Sequence, residues 1–175
     1  MKLVIASDIH GSAFWCRKLL EVCEAEKPEK LVLLGDILYH GPRNDLPREY
    51  APKQVIPMLG DWAEKILCVR GNCEAEVDQM VLNFPCLADY SMLMADGKTF
   101  YLTHGHHQNP ENLPKLEPGS VFLYGHTHVK FDREINGIRC LNPGSVSIPK
   151  DGSHSCLVYA DGDFRFVTLE EMKST

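Results

Sequence analysis

Four apolar residues, Leu3 to Ala6, begin the pattern along this chain and stop abruptly at Ser7-Asp8. A short β-branched run without polar alternation is what a strand buried on both faces carries. Ser12 then offers an N-cap, and Trp15, Leu19, Val22 and Cys23 recur at helical spacing until Pro28 ends the pattern. Residues 31–34 predict a second buried strand that closes on Gly35-Asp36. A polar stretch with Pro42, Pro47 and Pro52 separates it from a helix predicted around Val55, Ile56, Leu59 and Ala63, whose start is blurred by Pro57. Residues 66–69 predict a third strand, ending just before Gly71-Asn72.

Strand-helix-strand-helix-strand is the signature of a parallel α/β unit. The pattern then changes: strands are predicted at 91–94, 99–102, 121–124, 138–141, 156–159 and 164–168, with little helix between them. Two packed mixed β-sheets flanked by helices, an α/β sandwich, accommodate both halves. There is no internal repeat, linker or low-complexity stretch, so 1–175 reads as a single domain.

Charge removes several function classes. The net charge is −6, and no cluster of Lys and Arg offers a groove to a nucleic-acid polymer. No apolar run approaches the roughly 18 residues of a membrane span, and the opening strand runs directly into a polar loop, unlike a signal peptide. Seven cysteines without a Cys-x-x-Cys pair read as reduced thiols of a cytoplasmic protein, mostly core residues. Cys73 is the exception.

Residues able to bind metal recur at the carboxyl ends of the predicted strands, the edge at which open α/β sheets form ligand sites. Asp8 and His10 follow the first strand, Asp36 the second and Asn72 the third; His104 follows 99–102, and His126 and His128 follow 121–124. Side chains at i and i+2 of an extended segment point the same way, so Asp8/His10 and His126/His128 can each present two donors to one place. Each piece alone has an ordinary structural explanation. Their occurrence together, in order, at strand ends points to a metal site. Two carboxylates, one amide and four imidazoles form a mixed oxygen and nitrogen set suited to Mn²⁺, Fe²⁺ or Zn²⁺ rather than Ca²⁺.

These residues resemble the calcineurin-like metallophosphoesterases, and among them the small YfcE-type phosphodiesterases. The resemblance rests on Ser-Asp-Ile-His-Gly at 7–11, Leu-Gly-Asp at 34–36, Val-Arg-Gly-Asn-Cys-Glu at 69–74, Thr-His-Gly-His at 103–106, Gly-His-Thr-His at 125–128 and Asn-Pro-Gly-Ser-Val-Ser-Ile-Pro at 142–149. His-Gly-Pro-Arg-Asn at 40–44 is similar to the YfcE branch in particular. The resemblance implies two divalent ions, Mn²⁺ foremost. One would be held by Asp8, His10, Asp36 and His128, the other by Asp36, Asn72, His104 and His126, with Asp36 bridging. It further implies a metal-dependent phosphoric diester hydrolase in which a metal-bridging hydroxide attacks phosphorus in line. Asp36, Asn72, Cys73 and His104 are the expected catalytic residues, and family members often self-associate into homo-oligomers.

Many relatives place a histidine after the Gly-Asn pair, where it can protonate the leaving group; here that position is Cys73. A thiol is a weak hydrogen-bond donor and its thiolate is none, so small phosphodiesters with acidic leaving groups are the expected substrates. Ser7 and Ser12 read as strand-end and cap residues, and His107 and His154 as surface residues. His106 reads either as a substrate contact or as support for His104. Arg43 reads either as a phosphoryl contact or as a plain loop residue, and His40 shares its loop. Two other readings stand beside the hydrolase. One is a protein-binding scaffold of the same fold, as in a retromer subunit; the other is a phosphomonoesterase, which needs further cationic groups for its dianionic substrate.

Overall fold

The computed structural model of the protein describes residues 1–169. Strand β1 (Leu3–Ala6) leads into helix α1 (Ala13–Glu26), β2 (Lys30–Leu33), α2 (Pro52–Gly60) and β3 (Ile66–Cys68). Helix α3 (Glu76–Val81) and strands β4 (Tyr90–Ala95), β5 (Lys98–Thr103), β6 (Val121–Leu123), β7 (Lys130–Ile135), β8 (Ile138–Pro143), β9 (Ser155–Ala160) and β10 (Asp163–Thr168) complete the order. No helix among the described residues is long and apolar enough to cross a membrane.

Two five-stranded mixed sheets form, ordered β10-β9-β1-β2-β3 and β4-β5-β6-β8-β7. In the first, β1, β2 and β3 run parallel, with Leu3 opposite Lys30 and Leu31 opposite Ile66. In the second, β5, β6 and β8 run parallel, with Phe100 opposite Val121 and Phe122 opposite Cys140. The parallel strands of each sheet therefore present their carboxyl ends on a common edge. There the site forms.

Because side chains alternate along a strand, β1 serves two cores at once. Leu3 and Ile5 join Phe100, Leu102, Val121, Leu123, Leu141, Leu157 and Tyr159 between the sheets. Val4 and Ala6 face Trp15, Cys16 and Leu19 of α1. This two-sided burial explains why the first run carries no polar position. A third cluster, with Tyr101, Phe122, Tyr124, Ile138 and Cys140, packs beneath Leu113 and Leu116 on the far side of the second sheet.

Ser12 caps α1 as expected, its hydroxyl accepting from the Trp15 amide at 3.2 Å. Pro52 stands in the first turn of α2, where its missing N–H costs nothing, and Ala63 falls outside that helix in a 3₁₀ turn at Ala63–Lys65. Two elements lie outside the expected set. Strand β7 is an outer strand whose half-buried and exposed polar residues give no apolar run, and α3 spans only six residues.

Candidate metal and active site

The donors sit where backbone leaves the strands, and the loops are tied to one another before any side chain is considered. Asp8 N–H donates to Gly35 O (3.1 Å), His10 N–H to Asp36 O (2.9 Å) and Gly125 N–H to His104 O (2.8 Å). Asp8, His10, Asp36, His126 and His128 all adopt positive φ, between 48° and 66°. Left-handed backbone costs an L-residue roughly 1–2 kcal/mol, least for Asn and Asp. Five such residues in one place hold their side chains inward against that cost.

All seven expected donors converge. His10, His104 and His128 direct Nδ1–H at the carbonyl oxygens of Tyr39, Leu34 and Ile148, at 2.7, 2.6 and 2.6 Å. Those bonds fix the tautomer, so each Nε2 carries its lone pair into the centre. His10 Nε2 and His128 Nε2 then face each other at 3.3 Å, with Asp8 Oδ1 3.4 and 3.0 Å away. On the other side, His104 Nε2 faces Asn72 Oδ1 at 3.0 Å, His126 Nδ1 at 3.3 Å and Asp36 Oδ2 at 3.3 Å. Asp36 Oδ2 also lies 3.7 Å from His10 Nε2, so this one oxygen stands between the two halves. Lone pairs pointed at one another repel unless a proton or a metal cation lies between them, and a cluster of this many donors suits a cation. Asp8 Oδ1 is buried with no hydrogen-bond partner, although its other oxygen accepts from Ser7 Oγ (2.6 Å) and His126 N–H (3.0 Å). Donor identity, tautomer and the orphaned oxygen all fit divalent cations.

The titration behaviour expresses the same crowding. Burial opposes ionisation of Asp8, but the close imidazoles of His10 and His128 and the charge of His104 hold its carboxyl well below the ordinary range. Burial likewise opposes the charge on His104, yet Asp36 and Asp8 raise its pKa to about 9. Two buried carboxylates set close together thus favour positive charge beside them.

Several residues that organise the site escaped the sequence reading. Glu74 is buried, and its carboxylate accepts from the amides of Asp36 (2.8 Å), Ile37 (2.7 Å) and Gly71 (2.6 Å). It clasps the loop carrying Asp36 to the loop carrying Asn72. Asn142 donates to Gly125 O (2.8 Å) and Thr127 Oγ1 (3.1 Å), while Ser145 and Ser147 hydroxyls donate to Asp8 O at 3.0 and 3.1 Å. The Asn-Pro-Gly-Ser run therefore braces the donor loops from behind. Its spacing gave no sign of that role.

Gly71 is a further constraint. A Cβ there would lie 2.1 Å from Asp36 Oδ1 and 2.8 Å from Glu74 Oε2. Gly71→Ala is expected to destabilise the protein by roughly 1–3 kcal/mol, the usual cost of overpacking. Gly60→Ala, whose Cβ would meet only Asn83 at 3.6 Å, is the control. Equal denaturation midpoints for both variants would refute the close approach at Gly71.

A cavity of about 200 Å³ opens above the donors, lined by His10, Asp36, Asn72, Cys73, His126 and His128, with the 41–44 segment and Lys150 at its sides. Cys73 N–H donates to Asp36 Oδ1 at 2.9 Å, and its Sγ accepts from Asn72 Nδ2 at 3.4 Å. Burial and the neighbouring Asp36 carboxylate push this thiol well above its ordinary pKa, so it is neutral at pH 7. Arg43 lines the cavity; His40 is turned away between Tyr39 and Tyr50, with ring centroids at 4.8 and 5.1 Å. His106 packs beside His104 at 5.4 Å between centroids, and burial with the nearby imidazoles lowers its pKa to about 4. His107 is exposed as expected. His154 is not a surface residue: it is half-buried, stacks on Trp15 at 3.4 Å and bonds Val146 O through Nδ1 at 2.8 Å. The other six cysteines are free and buried.

Comparison with known proteins agrees with this geometry. Residues 1–163 match the calcineurin-like phosphoesterase superfamily domain. Phosphodiesterase YfcE of Escherichia coli K12 is 47% identical over 163 residues, covering 93% of this chain and 89% of its own. Phosphodiesterase MJ0936 of Methanocaldococcus jannaschii is 26% identical over 151 residues, covering 82% of this chain and 83% of its own. The solved structure of the E. coli YfcE phosphoesterase superimposes with a TM-score of 0.95 at 44% identity, over 99% of this chain and 96% of that one. A Vps29 single mutant from Entamoeba histolytica, at 17% identity and TM-score 0.64 over 98% of this chain and 94% of that one, shares the fold alone. Membership implies divalent metal ions, which the donor set fits. With family match, relatives and fold in agreement, the chain belongs to the calcineurin-like phosphoesterase superfamily.

Proposed function

We propose that the protein hydrolyses small phosphodiesters at a centre of two divalent ions, with Mn²⁺ the working metal. One ion is assigned to Asp8, His10, Asp36 and His128, the other to Asp36, Asn72, His104 and His126. The observation that carries this reading is the convergence of imidazole nitrogens and carboxylate oxygens on Asp36 Oδ2 and on the unpartnered Asp8 Oδ1, an arrangement that divalent cations satisfy. The names of the relatives, phosphodiesterases in both E. coli and M. jannaschii, support the reaction class. When bound, such ions polarise the phosphoryl group and lower the pKa of water toward ~7.

The chain's own residues supply the rest. Asp36 divides its oxygens, Oδ1 toward the Cys73 amide and Oδ2 toward the imidazoles of both halves. Asn72 contributes a neutral oxygen, which limits negative charge on its side and leaves more of the positive field for an anionic substrate. His104, held by Leu34 O, keeps its Nε2 fixed rather than free to shuttle protons. Cys73 occupies the cavity wall without offering a proton, so the leaving group must depart as a stable anion. Diesters with acidic, aryl-like leaving groups are therefore the fast substrates.

The test is metal removal. Protein dialysed against a chelator should lose hydrolysis of bis(p-nitrophenyl) phosphate and regain it on titration with Mn²⁺, reaching a plateau at two equivalents per chain. Activity that survives chelation, or that is fully restored by one equivalent, would sink the two-ion reading.

A further inference from the structure

The sides of the cavity carry a charge pattern that runs against the rest of the molecule. The chain has a net charge of −6, yet Arg43 and Lys150 both line this cavity, and Asp36 is the sole carboxylate among its lining residues. Neither cation pairs with a carboxylate among the described residues. They come from separate places. Arg43 belongs to the 41–44 turn, closed by Asn44 N–H to Gly41 O at 3.3 Å, and that turn rests against the cavity wall: a Cβ on Gly41 would lie 3.5 Å from Cys73 Sγ. Lys150 follows the loop that braces the opposite donors, its own amide donating to His128 O at 2.9 Å.

Both backbones are thus anchored, and both side chains are exposed. An exposed, unpaired cation at the side of a cavity focuses the field there and lowers the cost of bringing in negative charge. On the reading proposed above, two ions, two carboxylates and a hydroxide already leave the floor about one charge positive, which a phosphodiester monoanion neutralises. Two further cations exceed what that monoanion requires. We infer that Arg43 and Lys150 are specificity-determining residues for a second anionic group, so that the substrate class is a small phosphodiester bearing an additional carboxylate or phosphate. The cavity of about 200 Å³ restricts that group to a short tether. The inference rests on the phosphodiesterase reading, and the experiment separates the two.

Four p-nitrophenyl diesters share one leaving group and differ in the retained alcohol: choline, ethanol, 4-hydroxybutyrate and phosphoethanol. They carry a positive, a neutral, a singly negative and a doubly negative retained group. With Mn²⁺-loaded protein, kcat/KM should rise along the series, the hydroxybutyrate diester exceeding the choline diester by about tenfold, as expected of opposite unit charges partly screened by solvent and salt. In the Arg43→Gln/Lys150→Gln double variant that ratio should fall to within about threefold, and the two single variants should lie between. A flat series in the parent protein, or a slope that survives in the double variant, overturns the inference while the phosphodiesterase reading stands. Hydrolysis of none of the four overturns both. Because only ratios within one protein preparation are read, a general loss of activity in a variant does not mimic the result.

Discussion

Asp36→Asn is expected to lower kcat/KM for a chromogenic diester by more than about 10³-fold, beyond the 10²–10³ that loss of one oriented polar group typically costs. The magnitude follows from position. Asp36 Oδ2 lies 3.3 Å from His104 Nε2 and 3.7 Å from His10 Nε2, so on the proposed two-ion reading one carboxylate would serve both halves of the centre. The exchange also leaves the fold's demands met. Asn tolerates the left-handed backbone that Asp36 adopts at φ 56°, and its amide oxygen can still accept from Cys73 N–H. The variant should therefore unfold cooperatively near the parent midpoint while retaining fewer than two Mn²⁺ per chain after dialysis. Full activity, or two retained ions, would remove Asp36 from the bridging role.

Cys73→His is expected to act in the opposite direction, and selectively. Cys73 lines the cavity as a neutral thiol whose proton is held by burial and by Asp36. An imidazolium there can protonate a departing alkoxide, and a general acid contributes on the order of 10²–10⁴ in rate where the leaving group is basic. Alkyl diesters should accelerate by at least about 10², whereas p-nitrophenyl diesters, whose leaving group needs no proton, should change by less than about threefold. A plot of log kcat/KM against leaving-group pKa should consequently flatten. Parallel lines for parent and variant would show that the proton comes from elsewhere.

The sequence made the donors readable because each follows a short apolar run, and such runs are conspicuous when a strand is buried on both faces, as β1 is. The central strands β5, β6 and β8 of the second sheet were accessible for the same reason. Strand β7 escaped because an outer strand with half-buried and exposed faces has no apolar signature, and α3 because six residues carry too little periodicity. The bracing residues escaped for a different reason. Glu74 accepts from three amides on two loops, a property of tertiary placement that its neighbours in sequence do not encode. His154 looked like a surface residue because the ring it stacks on, Trp15, lies on a helix far away in sequence. Lys150 was visible as a residue but not as part of a cavity wall.

The left-handed backbone at Asp8, His10, Asp36, His126 and His128 has a consequence for descent as well as for chemistry. Few side chains settle at positive φ without penalty; Gly, Asn, Asp and His are the common ones. The conformation that aims the donors therefore also narrows which mutations a lineage can tolerate at those positions. A descendant that abandoned hydrolysis would be expected to drift there toward Gly and Asn rather than toward apolar residues. Its lost chemistry would stay written in its loops, as a row of small polar residues at strand ends with nothing left to bind.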